Sequence, residues 1–227
     1  NALYDGEITY HDHYFGKFLE RLRAMGVLDD TLLVITSDHG EEFDDHGSWG
    51  HGHSVYNELL RVPLIFYFPG NVPEGARVSD VVTTAGIAAT VTELLGLPAM
   101  PDVEVPSLVP YLRGGTPARP SVAFSDFMDD RRVATAAGAK LIVRGNLTAT
   151  LFDLERDPKE KEQLPVSARP ITGRYLRVLL SLYSGADNRQ RWLEGGEGRG
   201  AKIDTESSKL DDVTRKQLEE LGYFDNN

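Results

Sequence analysis

At 227 residues the chain has room for one large domain, or one domain with a small companion. Its 24 Lys and Arg against 35 Asp and Glu leave a formal charge of −11, which argues against a nucleic-acid or anionic-membrane surface, since both need a basic face. An anionic substrate stays compatible, because a metal or a few local cations can reverse the field inside a pocket. The absence of cysteine excludes disulfides, thiolate metal sites and a cysteine nucleophile within these residues. No apolar run approaches the ~20 residues that span a bilayer, and no basic-then-apolar leader opens the chain.

The chain begins inside a helical pattern with no initiator Met, as a segment of a longer protein would. Leu3, Phe15, Phe18, Leu19, Leu22 and Met25 fall largely on one helical stripe, and Gly26 is a natural stop for it. Thr31–Thr36 is β-branched and apolar on both faces, the pattern of a buried strand in a parallel sheet covered by helices. It breaks at Ser37-Asp38-His39-Gly40, where Gly40 permits a sharp turn. A loop rich in Gly, His and acidic residues runs from Glu41 to His53. A short helix is expected over Val55–Leu60, a second apolar strand over Leu64–Phe68, and a helix from about Thr84 to Leu95 stopped by Gly96. Helix, strand, loop, strand, helix is the grammar of an α/β domain.

Residues 98 to 120 hold six prolines and read as a surface connection. Beyond them Ser121–Phe127, Arg132–Ala136, Lys140–Val143 and Thr150–Asp153 are short strand candidates of a small antiparallel sheet, with turns at Gly138 and Gly145-Asn146. A helix over Arg174–Tyr183 could cover that sheet. Residues 185 to 208 are Gly-rich and charged, the composition of a mobile tail, and Leu210–Phe224 forms a last amphipathic pattern. The expected organisation is therefore a catalytic-type α/β segment over 1–120, a small α+β subdomain over 121–185, and a tail with a terminal helix over 186–227.

The chemistry concentrates after the first strand. Asp38 and His39 sit side by side at the carboxyl end of an apolar strand, the edge at which open α/β sheets bind ligands. An Asp oxygen with a His nitrogen suits Zn²⁺ or Mn²⁺, and Ca²⁺ less well because it prefers oxygen. On their own the two residues read equally as a cap and an ordinary loop histidine. Four of the six histidines, His39, His46, His51 and His53, fall within fifteen residues, among Asp38, Glu41, Glu42, Asp44 and Asp45. That density marks a metal or acid/base site, the four loop acids being read individually as solvated.

Leu32–Glu41, His46-Gly47, Tyr56 and Arg61-Val62-Pro63-Leu64 together resemble the sulfatases of the alkaline phosphatase superfamily. Tyr4–Ile8, Glu93–Pro98, Ser107-Leu108, Leu151–Pro158 and Leu218–Tyr223 extend the resemblance in the same order. It implies an alkaline phosphatase-like fold, part of a mostly parallel sheet flanked by helices, and a parent enzyme that hydrolyses a small-molecule or glycan sulfate ester. It further implies that Asp38 and His39 ligate a divalent cation, with Ca²⁺ first and Mn²⁺ or Zn²⁺ in histidine-bearing relatives.

The family lysine four residues before the matching tyrosine is replaced here by Gly52, flanked by His51 and His53. Either histidine is a candidate anion donor or general acid, with His53 favoured. Arg61 is expected in a buried ion pair. The family's Cys/Ser-x-Pro-x-Arg nucleophile motif, whose first residue becomes formylglycine, is missing; Thr116-Pro117-Ala118-Arg119 does not substitute for it. The segment alone is therefore expected to be inactive. The alternatives are a phosphodiesterase or phosphonate monoester hydrolase of the same superfamily, with His51 or His53 as a metal ligand, and a non-enzymatic module that captures a cation or a partner.

Overall fold

The structure, a computed structural model, describes residues 2–100, 105–115, 121–127, 131–145 and 148–193, with side chains as far as 183. In chain order its elements are α1 (Ala2–Ala24), β1 (Leu33–Thr36), β2 (Glu42–Phe43), β3 (Trp49–Gly50), α2 (Asn57–Leu60), β4 (Leu64–Tyr67), α3 (Ile87–Leu94), α4 (Val109–Leu112), β5 (Ala123–Phe127), β6 (Arg131–Ala136), β7 (Ala139–Arg144), β8 (Ala149–Asp153), β9 (Leu164–Pro165) and α5 (Pro170–Leu193). They fall into two compact units, each assembled from two stretches of chain. One is Asn1–Asp38 with Arg61–Ser121, and the other is His39–Leu60 with Val122–Asn227.

In the first unit β1 and β4 pair antiparallel, Leu33 opposite Tyr67 and Thr36 opposite Leu64. The α/β character expected of this part is present, but this strand pair does not run parallel. A continuous apolar run specifies a strand, whereas direction is set by the connection, and antiparallel neighbours need no crossover helix. The strands are also less covered than that run suggested: Ile65 and Tyr67 are 52% and 40% exposed. Helix α1 ends as expected, with Gly26 in the left-handed region at φ 70. Phe15, Leu19 and Leu22 are half-buried while Leu3, Phe18 and Met25 are exposed. Arg61 is exposed and, among the described residues, shows no ion pair, which corrects the buried role expected of it. Thr83 opens the turn ahead of α3 by accepting a bond from the Ala85 N–H, and buried Thr90 receives the Leu108 N–H at 2.8 Å.

The second unit is built on an antiparallel meander, β5-β6-β7-β8-β9. Its β6–β7 hairpin turns through Ala137 and Gly138, at φ 49 and 67, the two left-handed residues that a type I′ turn requires. Side-chain alternation sends Ala134, Ala136, Ala139, Leu141 and Leu151 to one face, where Leu176 and Leu180 of α5 cover them. The opposite face carries Val133, Ile142 and Phe152, and it packs against Val55, Tyr56 and Leu60. This second face is why residues 39–60 group with the meander. Lys140, one residue out of phase with Leu141, points to the same side as Ile142 and is fully buried there. Helix α5 runs through residue 193, farther than the expected Tyr183, and so includes residues read as tail. The Leu210–Phe224 pattern lies outside the described residues.

Candidate active site

Residues 39–57 form the candidate site, shaped by a small hairpin. β2 and β3 pair with Glu42 opposite Gly50 and Phe43 opposite Trp49. Continuing that register places Glu41 across from His51, and the contact is made: His51 Nδ1 lies 3.2 and 3.3 Å from the two Glu41 carboxylate oxygens. Gly50, at φ 85, presents no side chain opposite Glu42. Glu42 itself is completely buried.

The Glu42 carboxylate collects several donors. One oxygen accepts the backbone N–H groups of His46 and Ser48 at 2.9 and 3.0 Å. The other lies 2.8 Å from His53 Nε2 and receives the Ser54 hydroxyl at 3.5 Å. Burial pushes this carboxyl up, but the His53 hydrogen bond, the two backbone N–H groups and the His53 charge outweigh it, so Glu42 titrates below its ordinary value. The composition of the loop alone marks Glu42 as a solvated acid, and the structure corrects this. The burial of Glu42 goes with donors that the folded loop gathers around it, which composition does not reveal.

His39 donates from Nδ1 to the Gly40 carbonyl at 2.7 Å, if that nitrogen carries the proton, and its lone pair is then on Nε2. Its ring lies 4.2 Å from that of His51, centroid to centroid. Gly40 proves necessary for close approach rather than for a left-handed turn: a Cβ there would sit 1.9 Å from the Glu58 carbonyl oxygen. Its N–H bonds to the Leu59 carbonyl at 2.8 Å. Asp38, which ends the first stretch of the first unit, accepts the Ser37 hydroxyl at 3.4 Å.

His46 stands apart from the other loop histidines. Its Nδ1 is 2.5 Å from a Glu58 oxygen, its Nε2 is 3.1 Å from the Glu160 carbonyl, and its ring stacks on Tyr56 at 3.7 Å. Glu42, His46 and Glu58 bring three ligand-type atoms within 4.8 Å of one another. Both His46 nitrogens face oxygen acceptors and the near Glu42 oxygen holds two N–H groups, so the cluster is joined by its own hydrogen bonds. Lys140 Nζ pairs with Glu160 Oε1 at 2.8 Å and bonds Asn57 Oδ1 at 3.1 Å, both charges fully buried. Burial lowers the Lys140 pKa, against the opposing pull of Glu160.

Residues 2–97 match the sulfatase family model, and the chain is 31% identical over 170 residues to an arylsulfatase of Clostridium perfringens. That alignment takes in 72% of this chain and 35% of the relative, so the chain spans about a third of the curated relatives it matches. Among solved structures, a phosphonate monoester hydrolase of Agrobacterium radiobacter superposes with a TM-score of 0.65 at 29% identity, covering 77% of this chain and 39% of that one. A protein solved with its substrate D-glucosamine-2-N,6-O-disulfate gives the same score at 23% identity, over 84% of this chain and 40% of its own, a likeness of fold. The chain thus carries a sulfatase-family segment with the alkaline phosphatase-like fold.

Proposed function

We propose that these residues supply the metal side and the leaving-group side of a sulfuric ester hydrolase. The observation that carries the reading is the pair of carboxylate–imidazole couples on one hairpin, Glu41–His51 and Glu42–His53, with His39 against His51. Asp38 and His39 are the proposed metal ligands. The Gly40 carbonyl on His39 Nδ1 is the outer contact that orients a ligating imidazole and leaves Nε2 for an ion. A divalent cation held there would polarise the ester oxygens; Ca²⁺ is the family expectation, and a nitrogen donor suits Mn²⁺ or Zn²⁺.

His53 is the proposed general acid toward the departing oxygen. Glu42 fixes it through Nε2, so Nδ1 is the nitrogen that exchanges a proton with substrate, on a side chain 31% exposed. The depressed Glu42 carboxyl keeps its negative charge against His53 throughout the neutral range. His51, fixed by Glu41 at Nδ1 and with its Nε2 buried, is the second candidate for contact with the ester anion. The attacking group is proposed to come from outside these residues, which hold no cysteine and no Ser-x-Pro-x-Arg run. The segment alone is therefore inactive. The substrate class is a small-molecule or glycan sulfate ester.

The likeness to a phosphonate monoester hydrolase favours one second reading, a phosphonate or phosphodiester hydrolase in which His51 is a metal ligand. Turnover of matched aryl sulfate and aryl phosphonate esters by the full-length protein, with metal content measured on the same sample, separates the two. Preference for sulfate with one metal per chain supports the first. Preference for phosphonate with two supports the second, and an intact protein that hydrolyses neither supports a cation- or partner-binding module.

A further inference from the structure

We propose that Glu160 is a positioning residue, which with Lys161 clamps both arms of the histidine loop from the β8–β9 connection. The inference rests on the reading of residues 39–57 as the site and adds what holds them in place. Glu160 reaches the loop three ways. Its carbonyl faces His46 Nε2 at 3.1 Å, its Oε2 accepts the Asn57 N–H at 2.6 Å, and its Oε1 pairs with Lys140, which also holds the Asn57 side chain. Lys161 donates to the Asp45 carbonyl. Asp45 and His46 lie on the arm that leaves β2, and Asn57 follows the arm that leaves β3, so the grip closes the loop at both ends.

The connection is itself preset. Asp157 accepts the Glu162 N–H on its side chain at 2.7 Å and the Glu160 N–H on its carbonyl at 3.1 Å. Glu160 stands at φ 54, a left-handed conformation that favours Gly or Asn. A fully buried glutamate in that conformation is an outlier that calls for a role, and its contacts supply one. Through His46 and Asn57 the clamp fixes the span that carries His51 and His53, and the His46 N–H in turn holds the Glu42 carboxylate. The pairing of each histidine with its carboxylate would then depend on a residue more than a hundred positions downstream.

The test needs neither metal nor ester, so it stands apart from the hydrolase reading. Imidazole nitrogen spectra and amide exchange are recorded on the full-length protein, its Lys140→Met/Glu160→Gln variant and its Lys140→Met/Glu160→Leu variant. Both doubles remove the buried charges together, which avoids an unpaired ion, and only the Gln form keeps an acceptor for the Asn57 N–H. The expected result is wild-type His51 and His53 tautomers in the Gln form. In the Leu form both should average toward solvent-like signals, with exchange across 42–57 rising at least about tenfold while β6 and β7 stay protected. Lys161→Met, at an exposed position, should speed exchange of residues 44–48 severalfold and covers the case in which the Leu form does not fold. Unchanged tautomers and exchange in the Leu form, or unchanged exchange in Lys161→Met should the Leu form not fold, would overturn the proposal.

Discussion

Glu42 decides how the hairpin is organised, because one buried carboxylate satisfies two backbone N–H groups and orients one histidine. Its pKa sets the sign of a pH effect. The folded value lies below the ordinary one of 4.5, so its contribution to stability is complete above that value and is lost as pH falls through the lowered one. Denaturant midpoints of the wild type should therefore decline on acidification below about 4.5, and Glu42→Gln should flatten that decline while lowering the neutral-pH midpoint. An unaltered acid limb in the variant would remove Glu42 from this role. At the same scale, His53→Ala in the full-length protein should cost roughly 10²–10⁴ in kcat if His53 is the proposed general acid. The effect should shrink for substrates whose leaving group needs no proton. If His51→Ala alone shows that leaving-group dependence, the acid is His51. The histidine cluster could be read in the sequence because four imidazoles in fifteen residues is a compositional fact. The partition of those histidines could not, since it depends on which carboxylate lies across the hairpin and on Glu160 arriving from far along the chain.

Among elements, those with a strong local pattern were legible. The stop of α1 at Gly26, the strand over Leu64–Tyr67 and the β6–β7 hairpin at Gly138 follow from turn chemistry and apolar runs. The antiparallel pairing of β1 with β4 was not, because a strand's composition carries no direction. The two-residue strand β9 was missed for the same kind of reason: Leu164 and Pro165 are too few to set a period, and their pairing with Leu151 and Thr150 is tertiary. Gly40 shows how an element contact hides in a motif. A methyl group there would overlap the Glu58 carbonyl, which belongs to the backbone and cannot swing aside. Gly40→Ala should lower stability by about 1–3 kcal/mol, as overpacking does, and weaken metal affinity by displacing the adjacent His39. Thermal unfolding and metal titration check the two halves separately, and a variant with wild-type values in both would show that the approach relaxes without cost.

For the whole molecule, the division into two discontinuous units places the residue pair of the sequence motif at their junction in the chain, Asp38 ending one stretch and His39 opening the next. Chain order alone suggested a catalytic segment followed by an accessory one. The sheet explains the observed grouping: its second face, Val133, Ile142 and Phe152, needs an apolar cover, and Val55, Tyr56 and Leu60 provide it. The meander, expected from the sequence as part of a small α+β subdomain over 121–185, thus holds the loop that carries the candidate chemistry. The most direct measurement is turnover of an aryl sulfate by the full-length protein and its Asp38→Ala variant, assayed together with Ca²⁺, Mn²⁺ or Zn²⁺ supplied and with metal binding followed by calorimetry. The expected result is a loss of at least about 100-fold in kcat together with weakened cation binding, as removal of a metal ligand entails. Equal turnover and equal binding in the two proteins would contradict the assignment of this segment as the metal side of a sulfuric ester hydrolase.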